Sequence, residues 1–197
     1  PNIAYNLALL GESPKLMGTV GVDFDDYRNW LKGKGVDTSL VKVIPNEYTA
    51  SFFANTDKGN AQIASFYTGA MAYSKDLSIK DLDKEEIDLV LISPNDPTAM
   101  LRYARECAEL GIPYLFDPGQ QVVRLEPADI VEGIKSAQSL FINEYEFELI
   151  QKHTGMHAED IIKAVDYLVV TCGECGSDIY VKGEHYHIPI VKPVKIA

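Results

Sequence analysis

The feature that most constrains this chain is an alternation of hydrophobic periods between residues 88 and 171. Residues 88–93 (DLVLIS) form a near-continuous apolar run, the pattern of a strand buried on both faces. From Pro97 to Leu110 the period becomes helical, with Met100, Leu101, Ala104 and Ala108 on one side. Residues 113–116 and 139–142 read as two further strands, the second followed by a helix starting near Glu144, and residues 167–171 as another strand. The β-α-β-α-β order predicts an α/β fold with a largely parallel central sheet and helices on both faces. Residues 178–181 and 185–190, joined by Lys182-Gly183-Glu184, read as an antiparallel hairpin.

The first part of the chain has a different texture. Ile3, Leu7 and Leu10 recur at helical spacing and Gly11 stops the run. No N-cap precedes this helix, so the natural chain is expected to begin further upstream. Residues 15–20 predict a short strand. Asp23 or Asp25 is placed to cap a helix that carries Tyr27, Trp30 and Leu31 and ends near Gly33 and Gly35. Residues 47–55 and 61–67 are β-rich, and the segment 56–60 (TDKGN) between them has turn chemistry, which predicts a second hairpin. Such a hairpin either extends the sheet at its edge or serves as a flap over a cleft.

Composition narrows the function classes. The 197 residues are 46% hydrophobic and 24% charged, enough to bury a core without disulfides or structural metal. A formal charge of −11 argues against a nucleic-acid partner, which requires a basic face. A local anion site remains available at helix N-termini. No apolar run reaches membrane-spanning length, and the opening residues carry no basic leader, so neither a membrane span nor a signal peptide is expected. Three cysteines, Cys107, Cys172 and Cys175, suit a reducing cytoplasm.

Open α/β sheets bind ligands at the carboxyl ends of their strands. The segments there are Ser93-Pro94-Asn95-Asp96, Asp117-Pro118-Gly119-Gln120, Asn143-Glu144-Tyr145-Glu146 and Thr171-Cys172-Gly173-Glu174-Cys175-Gly176. All four are polar, acidic or glycine-rich, which predicts a shared rim. Asn143 and Glu146 stand three residues apart at a helix start. That spacing fits a capping box, and it also fits an amide and a carboxylate that hold hydrated magnesium and a phosphate oxygen. The two roles are compatible. Thr171-x-Gly173-x-x-Gly176 reads either as a plain glycine turn or as a loop whose N–H groups meet phosphate. Cys172 and Cys175 form a C-x-x-C, which with His185 and His187 leaves open a zinc or redox reading.

Taken together these pieces resemble the ribokinase-like (PfkB) family of sugar and nucleoside kinases. Residues 2–11 (NIAYNLALLG) look like the helix after that family's Gly-Gly turn, and Gly18-Thr19-Val20-Gly21-Val22-Asp23 is similar to its Gly-x-x-Gly-x-Asp stretch. Asn143 to Glu146 matches N-x-x-E, and Thr171 to Gly176 matches T-x-G-x-x-G. Phe53-Ala54-Asn55-Thr56-Asp57 and Phe66-Tyr67-Thr68-Gly69-Ala70 look most like the adenosine and nucleoside kinase branch.

The resemblance implies transfer of the ATP γ-phosphoryl group, with Mg2+, to a sugar or nucleoside hydroxyl. It places Asn2 on the substrate sugar, Asn143, Thr171, Gly173 and Gly176 at the nucleotide, and Glu146 at the metal. Phe53 in the lid joins the substrate contacts, as does Asn95 from its strand-end position alone. Residues 47–70 would be part of a β lid, with residues 1–46 and 71–197 the kinase core, and the lid is a candidate homodimer surface. The family's upstream glycine pair and its Gly-Ala-Gly-Asp signature, which carries the catalytic base, are not among these residues. No catalytic residue is therefore assigned, and the chain alone is expected to be inactive. A nucleotide- or sugar-binding module without catalysis is the alternative.

Overall fold

Two units make up the chain, Pro1–Leu77 and Ser78–Ala197, in a computed structural model that describes residues 1–59 and 62–192. Asn60, expected in the turn of the first hairpin, Ala61, expected to open its second strand, and Ala197 lie outside the described residues.

In the first unit, helix α1 (Asn2–Leu9) ends before Gly11, whose φ of 93° is readily adopted only by glycine. Ala4 and Ala8 lie against the buried cluster of Val20, Phe24, Leu31, Val36 and Val41, whereas Ile3 and Leu10 are exposed. Two alanines at i, i+4 let the helix approach closely, which the larger Ile3 and Leu10 would prevent. Strand β1 (Gly18–Val20) is shorter than residues 15–20; Lys15 contributes only an isolated bridge to Asp37. It pairs in parallel with β2 (Val41–Val43), a strand too short to show a period.

Helix α2 (Asp25–Gly33) is capped by neither expected aspartate. Asp25 sits inside its first turn, and the Asp23 carboxylate accepts from the Thr49 N–H at 2.8 Å and the Thr49 hydroxyl at 2.7 Å. Those two bonds hold the Asp23 carboxyl below the usual carboxylate range. Strands β3 (Ser51–Thr56) and β4 (Gln62–Tyr67) form a separate antiparallel sheet. Residues 47–49 lie outside it, held against two glycines. A Cβ on Gly21 would fall 2.3 Å from the Tyr48 carbonyl carbon, and one on Gly69 would fall 2.3 Å from the Tyr48 oxygen. The Gly18-x-x-Gly21-x-Asp23 spacing thus has a local cause: Gly21 admits the 47–49 backbone and Asp23 binds it.

In the second unit, six strands run β5 (Val90–Ile92), β6 (Tyr114–Phe116), β7 (Ser139–Asn143), β8 (Tyr167–Thr171), β9 (Ser177–Val181) and β10 (Glu184–Ile188) in spatial sequence. β5 to β8 are parallel, and β9 and β10 add on antiparallel. The mostly parallel sheet read from the sequence is present. β5 is less buried than its apolar run suggested: Leu89 is exposed and Val90 and Leu91 are half-buried. Within this unit β5 has a strand neighbour, β6, on one side only.

Helix α3 (Pro97–Leu110) has Asp96 as N-cap, accepting from the Ala99 N–H at 3.1 Å, and Gly111 as a left-handed C-cap. Helix α4 (Pro127–Lys135) lies between β6 and β7, and α5 (Glu144–Thr154) and α6 (Ala158–Ala164) lie between β7 and β8. α4 touches α3, α5 and α6. Gly133 makes room for the Phe116 ring, 2.7 Å from where a Cβ would stand, and its carbonyl accepts from the Tyr114 hydroxyl at 2.8 Å. Tyr114, Phe116, Leu140, Ile150, Ile161 and Leu168 are fully buried. The buried Glu106 carboxylate accepts from the Ser78 hydroxyl, the Ile79 N–H and Arg102, which leaves it charged and paired. Among the described residues no helix is long and apolar enough to cross a membrane.

Candidate functional site

The carboxyl ends of the four parallel strands stand side by side. Ile92 pairs with Phe116, Phe116 with Leu140, and Asn143 directly with Thr171. The Asp117 N–H reaches the Ile92 carbonyl at 2.9 Å, so the ladder continues to the first rim residue. The loops after β5 and β6 also meet: a Cβ on Gly119, where φ is 48°, would lie 2.6 Å from Pro94 Cγ. Asn95 is half-buried, and its Oδ1 accepts from the Asp96 N–H at 2.8 Å.

Asn143 ends β7 and caps α5. Its Oδ1 accepts from the Glu146 N–H at 2.8 Å, and Glu146 Oε2 accepts from the Asn143 N–H at 2.9 Å. The capping box is therefore formed. It fixes both side chains at a helix N-terminus, where the backbone dipole favours anions. Asp117, on the neighbouring strand, has its carboxyl pushed up to about 6 by burial and by the negative charge of Glu146, partly opposed by the Gly119 N–H. Glu146, fixed by the capping box, and Asp117, just past the end of the adjacent strand, offer carboxylate oxygens, the ligand type that hydrated magnesium takes, so the donor chemistry fits the ion.

Thr171 closes β8, and the turn after it is tight. The Cys175 N–H reaches the Cys172 carbonyl at 2.9 Å, and the Cys172 N–H reaches the Gly176 carbonyl at 2.8 Å. Gly173 and Gly176 have φ of 54° and 106°. A Cβ on Gly176 would lie 2.1 Å from the Ile188 carbonyl, so the second glycine is required by the end of β10. The first has open space around it and meets no neighbour within 4 Å of a built Cβ.

Rim residues Asn95, Asn143, Glu146, Thr171, Gly173 and Gly176 all belong to the second unit. Asn2 and Phe53 belong to the first: Asn2 is exposed at the start of α1, and Phe53 is exposed on β3. Two residues were not singled out from sequence. Asp117 was visible only as a strand-end aspartate, and its pairing with Glu146 needs the sheet order. Gln121 is buried, and its Oε1 has no hydrogen-bond partner among the described residues. For the zinc reading, among the described residues no group of three or more His, Cys, Asp or Glu is placed to hold a metal. His185 and His187 instead meet Asp178 Oδ1, each at 2.9 Å.

Known proteins share this fold. A nucleoside kinase of Methanocaldococcus jannaschii is 32% identical over 197 residues, covering 99% of this chain and 64% of that protein. The structure of Burkholderia thailandensis nucleoside kinase in complex with inosine superposes with a TM-score of 0.94 at 32% identity, covering 100% of this chain and 65% of that one. The same enzyme in complex with ADP-inosine gives 0.92 at 33%, covering 99% and 61%. The chain thus spans less than two thirds of the length of these relatives. The pattern of the pfkB family carbohydrate kinases matches residues 1–197, and with the strand-end rim in place the chain belongs to that family.

Proposed function

We propose that this chain serves an ATP- and magnesium-dependent kinase that phosphorylates a hydroxyl group of a nucleoside. The observation that carries the reading is the strand-end rim, where Asn143, joined to Glu146 in a capping box at a helix N-terminus, pairs directly with Thr171 at the start of the glycine turn. Phosphoryl transfer is chiefly positioning and charge stabilisation, which such a rim can supply. Asn143, Thr171, Gly173 and Gly176 hold the nucleotide phosphates through amide, hydroxyl and backbone N–H donors. Glu146, aided by Asp117, holds magnesium through its water shell. When bound, the ion offsets charge on the phosphates. Asn2, Asn95 and Phe53 contact the acceptor. Inosine is the acceptor to test first, since the 32%-identical Burkholderia enzyme forms a complex with it.

Residues 47–70 act as a lid, and a homodimer forms through its exposed aromatic side chains. The proposed location is the cytoplasm, a reading supported by three free thiols and the need for ATP. Without a Gly-Ala-Gly-Asp signature among its residues, the isolated chain binds ligands with little or no turnover, since general-base help is worth about 10²–10⁴-fold.

Calorimetric titration of the chain with ADP, with and without magnesium, tests the nucleotide half of this reading. Binding that magnesium strengthens in the wild type but not in Glu146→Gln is the expected result. Equal ADP affinity in both proteins at every magnesium concentration would overturn the metal assignment. A phosphotransfer assay with inosine, adenosine and ribose tests the rest, and robust turnover by the 197 residues alone would refute the missing-base argument.

A further inference from the structure

The proposed nucleotide loop carries two thiols with no role in phosphate binding. Cys172 and Cys175 are the first and fourth residues of a turn closed by the 2.9 Å bond from the Cys175 N–H to the Cys172 carbonyl. Turns of this kind bring their end Cα atoms within about 7 Å, and a disulfide spans about 4.4–6.8 Å. Gly173 between them holds a φ of 54° with nothing within 4 Å of a built Cβ, so the turn can adjust. The two thiols differ in access: Cys175 is exposed and Cys172 is buried.

We propose that Cys172 and Cys175 form a reversible disulfide site, closed by a low-molecular-weight disulfide such as oxidised glutathione. Exposed Cys175 meets the oxidant first. Its sulfur attacks one glutathione sulfur, the glutathione S–S bond breaks, and one glutathione leaves as thiol with the Cys175 proton. Cys172 Sγ then attacks Cys175 Sγ, the mixed disulfide breaks, and the second glutathione leaves with the Cys172 proton. Two protein thiols are oxidised and one glutathione disulfide is reduced to two thiols.

The surroundings favour this order. The single Cys172 S–H has two acceptors in reach, Asp178 Oδ2 at 3.6 Å and the Val170 carbonyl at 3.5 Å. Burial and the negative charges of Glu144 and Asp178 push its thiol up, so it is poorly suited to attack a free oxidant. It becomes competitive once its target is tethered in the same turn. Cys107, buried and pushed up to about 12, stays out of the exchange.

The bridge would fix the turn that the preceding reading gives to nucleotide, so on that reading oxidation is felt as altered nucleotide affinity. The test incubates the chain with oxidised glutathione, alkylates the remaining thiols and maps the peptides by mass. A Cys172–Cys175 linkage with Cys107 alkylated, reversed by dithiothreitol, is the expected result. In Cys175→Ser, Cys172 should be recovered as free thiol. A stable glutathione adduct on Cys175 without the internal linkage would overturn the proposal, as would two unreacted thiols or direct modification of Cys172 in the variant. ADP titration of the reduced chain is a separate arm: failure to bind there counts against the nucleotide reading, while the thiol map alone judges the pair.

Discussion

Among the described residues the β3–β4 hairpin pairs six residues with six and belongs to no larger sheet, whereas β9–β10 pairs five with five and is carried on β8 at the edge of a six-stranded sheet. All of β4 and all but the first residue of β3 are exposed, and Phe52, Phe53, Ile63, Phe66 and Tyr67 stand in solvent. β9 is half-buried along its length because β8 covers one edge. A lone two-stranded hairpin is marginal in water. The contrast shows that strand patterning alone does not bury side chains, and that a neighbouring element must do so. β9–β10 has that neighbour within its unit. β3–β4 is tied at its base instead, through the segment 47–49 held by Gly21, Gly69 and Asp23, and its aromatic side chains remain available for a ligand or partner.

Substitutions can break or sharpen this contrast. The largest effect is expected at the strand that carries the second hairpin. Leu168→Ala on β8, fully buried, should cost about 2–5 kcal/mol in urea denaturation, as core truncations do. Gly176→Ala attacks the joint between the loop and the end of β10, where the new Cβ meets the Ile188 carbonyl at positive φ. A loss of more than about 1 kcal/mol is expected, with faster amide exchange confined to β9 and β10. Asn143→Ala removes the α5 cap and should cost about 1 kcal/mol in the same denaturation. Phe53→Ala, on the two-stranded β3–β4 hairpin, should change stability by less than about 0.5 kcal/mol. A large loss there would mean that the lone hairpin is packed after all.

The sequence carried much of the second unit and less of the first, for physical reasons. β8 and α3 were readable to the residue. β8 lies between two other strands, and Asp96, Pro97 and Gly111 mark the two ends of α3. β2 and the 3-10 turns between Gly69 and Glu86 were not readable: β2 and two of the turns have three residues and no room for a period, and the eight-residue turn Gly69–Asp76 is held by long-range contacts. Thr19 illustrates this: its hydroxyl donates to the Ala70 carbonyl, 51 residues away. The packed face of α1, Ala4 and Ala8, was not read, because small residues look unremarkable beside Ile3 and Leu10. At the rim, Asn143 and Glu146 showed through their spacing, while Asp117 gained meaning only once β6 was known to lie beside β7. Roles that depend on strand order cannot be read along one dimension.

On the proposed reading Glu146 would perform two duties with one side chain. Its Oε2 already holds the first N–H of α5's opening turn, so any ion that recruits the same carboxylate draws on the scaffold of the helix itself. Occupancy of the rim and folding of that turn are thereby thermodynamically linked, and a charge-removing variant shifts both at once. Kinetic defects measured at this position become interpretable only after correction for the fraction of molecules whose α5 remains wound.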